Sequence, residues 1–314
     1  MAVVFTLLSM LMTCASDLFE KRSVSSRTEE VLKTLVWYGI FNAVLLVMVL
    51  LFGMDETSLL PHELLSEKPV IILSPLLNYI CLFFAIAAYK YVGVSVRNSF
   101  VNTDGIFYVI LIVLYHLITG NAVFVTRLFK PLTIAGLVLV IGAGLIYPHT
   151  KEYREGDDGK ENSGSSESSK KALILGIIIA VIAAFFDGAE SMVTSVLIGD
   201  EIVDSMDYIA VSAFIQVVIT IIIWICLWIR NKKPHNPFRR TEKNRFAGEL
   251  CGLVSDIFYV FALSDDALLG IVLWNAFPIL DIVCARIFMK EKLSRIQYII
   301  LIVLILGAVY VSLS

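Results

Sequence analysis

The sequence predicts an all-α polytopic membrane protein whose ten transmembrane helices form two inverted repeats of five. Three observations lead to this prediction. Hydrophobic residues make up 58% of the 314 residues and charged residues only 17%, whereas soluble domains average roughly 45–50% and about 25%. The apolar residues fall into ten blocks, each close to the length that crosses a bilayer as a helix. A polar segment near the middle of the chain divides these blocks into two sets of five.

The ten apolar blocks are interpreted as helices because backbone groups in lipid must be hydrogen-bonded within their own segment. A helix rises ~1.5 Å per residue and needs about 20 residues to cross the hydrocarbon. A water-soluble protein with these blocks would have to bury almost every helix on all sides. The blocks span residues 1–19, 32–53, 70–89, 94–118, 132–147, 172–198, 208–229, 246–263, 267–289 and 296–313.

A polar linker is predicted at residues 149–171. Its Gly, Ser and charged residues cannot bury enough apolar surface to fold, so it is interpreted as flexible. The linker separates a first five-helix repeat, residues 1–148, from a second, residues 172–314.

The two sets of helices carry matching segments. Residues 17–20 (Asp-Leu-Phe-Glu) lie near the end of the first helix, and residues 187–190 (Asp-Gly-Ala-Glu) near the end of the sixth. Gly-rich segments that end at Tyr147 and Tyr310 close the fifth and tenth helices. Because five is an odd number, a tandem duplicate enters the membrane from the opposite side. Such inverted repeats are common among secondary transporters, whose substrate site lies between the halves near the midplane.

Residues 267–278 (Ala-Leu-Leu-Gly-Ile-Val-Leu-Trp-Asn-Ala-Phe-Pro) form a helix with a Pro, followed by an acidic turn at 289–294 and a Gly-rich last helix. This pattern resembles the EamA branch of the drug/metabolite transporter superfamily, and the resemblance implies a ten-helix transporter rather than an enzyme. The first half departs from the pattern, since residues 102–104 (Asn-Thr-Asp) stand where the Pro is expected and the turn 119–122 lacks the acid. Residues 188–195 and 256–259 are also similar to LicB-type choline transporters.

The positive charges favour one orientation in the membrane. All but three of the 25 Lys and Arg residues lie in the loops after the odd-numbered helices or at the helix ends beside them; the exceptions are Lys68, Arg127 and Lys130. The positive-inside rule therefore places the linker in the cytoplasm and both termini outside. The family resemblance implies the reverse orientation.

Acidic residues inside the predicted helices are candidates for binding or proton transfer, because a charge there costs at least ~2.5–3.5 kcal/mol. Asp187 and Glu190 share one face of the sixth helix and have no cation of that helix nearby. Asp256 lies in the middle of the eighth helix and Asp104 in the fourth. We predict that Glu190, Asp187 and Asp256 bind substrate, and that Glu190, Asp187 and Asp104 carry the coupling proton.

Aromatic residues near these acids extend the predicted site. Tyr259 lies on the same helix face as Asp256, and Trp274 and Asn275 lie just before Pro278, which can free backbone carbonyls. An aromatic ring beside a buried carboxylate attracts a cation. We therefore expect Tyr259, Trp274 and Asn275 to contact a cationic or zwitterionic substrate.

Several charged residues also have structural interpretations. Arg97 and Asp104 could form an ion pair that joins two helices, and Asp281 could pair with Arg286 in the same way. Three residues near helix ends are interpreted as hydrated interfacial groups: Glu20, Glu249 and Arg286.

Taken together, these features predict a secondary active transporter in the plasma or inner membrane, not an enzyme. The expected partners are a small metabolite, such as a quaternary amine, amine or amino acid, together with protons and the lipid bilayer. No cofactor, metal or nucleic acid is expected. The alternatives are an anionic substrate, or a receptor or assembly factor that reuses the fold without transport.

Overall fold

The computed structural model describes residues 2–24, 28–52, 61–119, 131–147, 165–199, 202–274, 277–291 and 293–312. These ranges are helical and contain no strand. The twelve α-helices within them are α1 (Ala2–Ser23), α2 (Thr28–Phe52), α3 (Pro61–Glu67), α4 (Leu73–Ala88), α5 (Val94–Val101), α6 (Asp104–Thr119), α7 (Pro131–Ile146), α8 (Ser165–Gly199), α9 (Ser205–Asn231), α10 (Lys243–Trp274), α11 (Phe277–Phe288) and α12 (Arg295–Ser312).

The described chain is a multi-pass membrane protein. Six segments are long and apolar enough to span a bilayer: Val3–Ser23, Thr28–Leu51, Pro69–Ala88, Val94–Thr119, Lys170–Leu197 and Asp207–Asn231. Large apolar side chains also lie on the outer surface, among them Leu51, Ile118 and Ile229 at 68%, 86% and 73% exposed. Such a surface suits lipid rather than water. The all-helical membrane fold is therefore confirmed, and the count of ten spanning helices stays a prediction.

The predicted fourth helix is divided into α5 and α6 at Asn102 and Thr103. The Asn102 amide donates back to the carbonyl of Asn98 (2.8 Å), and the Thr103 hydroxyl donates to the carbonyl of Phe100 (2.7 Å). Side chains that bond to nearby carbonyls compete with the regular helical pattern. The kink therefore lies within residues 102–104, the segment that stands where the family's Pro is expected in the first half of the chain.

One predicted boundary in the second half is wrong. The turn expected between residues 263 and 267 is absent, because the helix continues from Lys243 to Trp274 through a segment that contains no Pro. Pro278 lies in the first turn of α11, where its missing N–H group is tolerated. Further upstream, α8 begins at Ser165, within the segment interpreted as a flexible linker.

The helices pack in pairs that join the two halves of the chain. Helix α1 packs against α10, α4 against α8, α2 against α9, and α7 against α12. Glycine allows close approach at the crossing of α8 with α6 and at that of α12 with α7. A Cβ at Gly188 of α8 would lie 2.6 Å from the carbonyl oxygen of Asp104, and one at Gly307 of α12 would lie 2.7 Å from Val140. Small residues allow membrane helices to pack this closely.

Candidate functional site

A polar cavity lies between helices of both halves. Its volume is about 230 Å³, and it lies toward the end of the molecule at which α4 and α9 begin. Helices α2, α4, α8, α9 and α10 supply its walls. The described lining residues are Tyr38, Asn42, Leu45, Ser74, Pro75, Asn78, Glu190, Tyr208, Ile209, Ser212, Ala213, Gln216 and Asp256.

Glu190 is held in the cavity wall by hydroxyl groups from three helices. Its Oε1 accepts hydrogen bonds from Thr194 (2.8 Å), Ser74 (2.9 Å) and Tyr208 (3.2 Å). The three hydroxyls also contact one another, at 2.5 to 3.0 Å. This arrangement fixes the direction of the carboxyl group and links α8 to α4 and α9.

Asp256 brings a second carboxyl group to the same cavity. It lies on α10, and its side chain is exposed rather than enclosed by packing. The described lining therefore contains two acids, and it contains no Lys or Arg. The sequence prediction placed Glu190 and Asp256 on different helices, and the fold brings both to one cavity.

Aromatic and amide groups form the deeper wall. The Tyr38 hydroxyl donates to the side-chain oxygen of Asn78 (3.2 Å), and the Tyr38 ring lies edge-on to the Tyr79 ring at 5.5 Å between centroids. The Tyr79 hydroxyl in turn donates to the carbonyl of Gln216 (3.0 Å). These contacts link α2, α4 and α9 beneath the cavity.

Asp187 and Asp104 lie outside the described lining of the cavity. Both flank the crossing of α6 and α8, where Gly188 packs on the backbone of Asp104 and Tyr108. The structure thus brings these two predicted proton-coupling acids to the same crossing, separate from the Glu190 hydroxyl cluster.

The three remaining predicted contacts cannot be placed in the cavity. Tyr259 and Trp274 lie within α10, but their side chains are outside the described residues, and Asn275 lies outside them entirely. Their expected contact with substrate stays a prediction.

Both predicted ion pairs are wrong, because other partners are closer. Arg97 pairs with Asp17 rather than Asp104, with an N···O distance of 3.2 Å. Arg286 donates to the hydroxyl of Tyr298 (2.7 Å), and Asp281 accepts from the amide of Asn98 instead. Helix spacing suggested pairs within one helix, whereas the actual partners lie on different helices.

The interfacial interpretation fits Arg286 but not Glu249. Arg286 is exposed, whereas Glu249 is only 8% exposed within the bundle. Glu20 is half-buried.

Several cavity residues were not singled out from the sequence: Tyr38, Asn42, Ser74, Asn78, Tyr208, Ser212 and Gln216. The amides carried a usable signal, since a single Asn or Gln in an apolar membrane helix needs a polar partner. The hydroxyl residues did not, because Ser and Tyr are common throughout such helices.

Comparison with known proteins bears on the second half of the chain. Residues 174–313 match the model of the EamA-like transporter family. The match covers the stretch 267–294 on which the sequence resemblance was based, and it confirms that resemblance. The family that this model describes is a family of transporters.

Solved structures support the fold over the whole chain. Ten solved chains match this one. One, described as a crystal structure of a protein, has a TM-score of 0.53 at 17% identity and covers 99% of this chain and 96% of its own. At this identity the similarity concerns the fold alone. No curated protein matches the chain in sequence.

Proposed function

We propose that this EamA-like protein is a secondary active transporter that moves a small cationic or zwitterionic metabolite by alternating access. The observation that carries the proposal is the cavity, whose described lining holds Glu190 and Asp256 but no Lys or Arg. No Lys or Arg of the described lining balances these two carboxyl groups, so a positively charged ligand would supply the missing counter-charge.

The aromatic lining favours an ammonium group over an inorganic ion. Tyr38 and Tyr208 lie in the cavity wall with the two acids. A cation over a ring face gains roughly 0.5–2 kcal/mol, depending on how far it is desolvated. The amides of Asn42, Asn78 and Gln216 could bind the polar end of a zwitterion or of an amino alcohol.

The proposed architecture is ten transmembrane helices in two inverted repeats, residues 1–148 and 172–314, joined by the linker 149–171. The reciprocal packing of the helices supports it. The first helix of each half packs against the third of the other, as α1 with α10 and α8 with α4. The second helices pack together, and so do the last, as α2 with α9 and α7 with α12. A two-fold relation between the halves would produce this pattern.

Alternating access is supported by the difference between the two ends of the molecule. The cavity lies toward the beginnings of α4 and α9. At the other end, Lys21 of α1 donates to the carbonyls of Tyr89 and Val92, and Glu291 accepts from the backbone N–H of Val94 (2.7 Å). We infer that these contacts close that end and that they break when access reverses.

Proton coupling is proposed at the acids of α8 and α6. Glu190 can bind either a proton or the ammonium group of a substrate. Because the two compete for one carboxyl group, proton binding and substrate binding would alternate at Glu190. Asp187 and Asp104 lie on either side of the α6–α8 crossing and could pass the proton onward. The proposal does not depend on any bound cofactor.

The test is uptake into proteoliposomes that contain purified protein, with labelled choline, ethanolamine, alanine and lactate as probes. We expect one of the first three to accumulate with an imposed pH gradient, and the accumulation to collapse when the gradient is dissipated. Glu190→Gln should abolish it. Glu67→Gln is the matched control, because Glu67 is exposed and does not line the cavity. Accumulation of lactate alone would indicate an anion transporter. A failure to move any probe would favour a receptor or an assembly factor.

A further inference from the structure

A second set of buried polar groups lies where α1, α5 and α11 meet. The Asn98 amide nitrogen donates to Asp17 Oδ2 (2.7 Å) and also to Asp281 Oδ2, so one amide bridges two carboxyl groups. Asp17 Oδ1 additionally accepts from the Tyr89 hydroxyl (2.7 Å) and from Arg97 (3.2 Å). None of these residues belongs to the described lining of the cavity.

The two carboxyl groups are unequally satisfied. Asp17 accepts hydrogen bonds from three different side chains, of which one is a guanidinium. Asp281 is 0% exposed; its Oδ2 accepts from Asn98, the Cys14 thiol is its other polar neighbour, and its buried Oδ1 has no hydrogen-bond acceptor or donor within standard distance among the described residues. An ionised carboxylate with one free oxygen is costly to bury, whereas a neutral carboxylic acid is far less so.

The charged groups around Asp281 would not balance a second negative charge beside that of Asp17. Asp17 and the Cys14 thiol face it from α1, Arg97 faces it from α5, and the Cys284 thiol lies on its own helix.

Each cation near this site among the described residues is already engaged. Arg97 pairs with Asp17 and donates to the carbonyl of Ala85 (3.2 Å). Lys21 donates to backbone carbonyls, and Arg286 is turned toward Tyr298 of α12. Two acids therefore share one guanidinium, and Glu20 adds a third acid near Arg97.

We propose that Asp281 is a proton-binding site that carries its proton in this conformation and releases it when α11 separates from α1 and α5. In the closed state the neutral acid retains its bond from Asn98 and leaves the Asp17–Arg97 pair undisturbed. When the contact opens, water reaches the carboxyl group, the O–H bond breaks, and the proton passes to water as the carboxylate becomes hydrated. Closure requires the reverse step. Proton uptake at Asp281 is thereby tied to a contact between the two halves of the chain.

The site is new relative to Glu190, Asp187 and Asp104, and its role in transport rests on the proposed function. The protonation of Asp281 does not rest on the proposed function. It can be measured on purified protein without any substrate, by infrared spectroscopy of the carboxylic acid C=O stretching band in D₂O.

The spectroscopic test compares wild type with Asp281→Asn and with Asp256→Asn, a matched change at the exposed cavity acid. Other protonated acids contribute to the same band, so the readout is the difference between the wild-type spectrum and that of each variant near neutral pH. We expect the wild-type-minus-Asp281→Asn difference to contain a carboxylic acid component and the wild-type-minus-Asp256→Asn difference to lack it. A wild-type-minus-Asp281→Asn difference without that component would overturn the proposal. The Asn side chain mimics the neutral acid, so Asp281→Asn should also fold with at least wild-type thermal stability. A variant that fails to fold would contradict a neutral Asp281.

The transport test uses the same variant with whichever probe wild type transports. Asp281→Asn should lose accumulation driven by a pH gradient but keep exchange of labelled for unlabelled probe across the membrane without a gradient. Unchanged accumulation would remove Asp281 from coupling. If wild type moves none of the four probes, the proposed function fails, while the infrared band still decides whether Asp281 holds a proton.

Discussion

The packing of α6 against α8 predicts that Gly188→Ala destabilises the protein. A Cβ at this position would lie 2.6 Å from the carbonyl oxygen of Asp104, 2.7 Å from the backbone nitrogen of Tyr108 and 2.8 Å from Phe107 Cβ. Two of these atoms belong to the backbone, so the helices must move apart. Overpacking of this kind costs about 1–3 kcal/mol. The intrinsic helix preference of Ala over Gly, about 0.8–1 kcal/mol, offsets only part of it.

Gly142→Ala is the matched control for this change. It is also a helical glycine, in α7, and a Cβ there would meet no atom of the described residues within 4 Å. We expect Gly142→Ala to be as stable as wild type or more stable by up to about 1 kcal/mol. Gly188→Ala should then be less stable than Gly142→Ala by about 1–3 kcal/mol. The measurement is denaturant unfolding of purified protein in detergent, and equal stabilities of the two variants would refute the close crossing at Gly188.

Three further predictions concern other parts of the molecule. Asp17→Asn should destabilise the fold by about 3–5 kcal/mol, because it removes the carboxylate that pairs directly with the buried guanidinium of Arg97; a loss below about 1 kcal/mol in denaturant unfolding would show that the pair is dispensable. Ser163→Cys, in the linker, should be shielded from impermeant thiol reagents in intact cells if the positive charges set the orientation; labelling from outside would establish the opposite orientation. Burial lowers the pKa of His235, in the loop after α9. The unfolded state therefore binds more protons below about pH 6.5, and the stability of the folded protein should fall as the pH falls. The fall in melting temperature between pH 7 and pH 5 should be smaller in His235→Gln than in wild type, and identical pH profiles of the two proteins would contradict this.

The membrane class and the positions of most helices could be predicted from the sequence, because both depend on local apolar content. Boundaries were harder to predict where local signals conflict. The segment 264–266 (Ser-Asp-Asp) suggested a turn, yet the helix runs through it. By contrast, Asn102 and Thr103 introduce a kink into a segment that was predicted as one continuous helix.

The acidic residues of the site could be recognised from the sequence, but their partners could not. Glu190 and Asp256 stand out because a carboxyl group is rare in an apolar helix. Their arrangement depends on which helices cross, and this information is not local. For the same reason Arg97 was assigned to an acid seven residues away, although its actual partner, Asp17, lies on α1. The bridging role of Asn98 between Asp17 and Asp281 also exists only once three helices have met.

The most direct test of the central claim is exchange of labelled for unlabelled probe in proteoliposomes without any gradient, because it reports the cavity and alternating access together. The prediction is that choline, ethanolamine or alanine exchanges through wild type and Glu67→Gln at similar rates. Glu190→Gln should lose most of this exchange, since its side chain cannot provide a negative charge to the ammonium group. Exchange at the wild-type rate through both Glu190→Gln and Asp256→Asn would contradict the claim that this cavity carries the substrate.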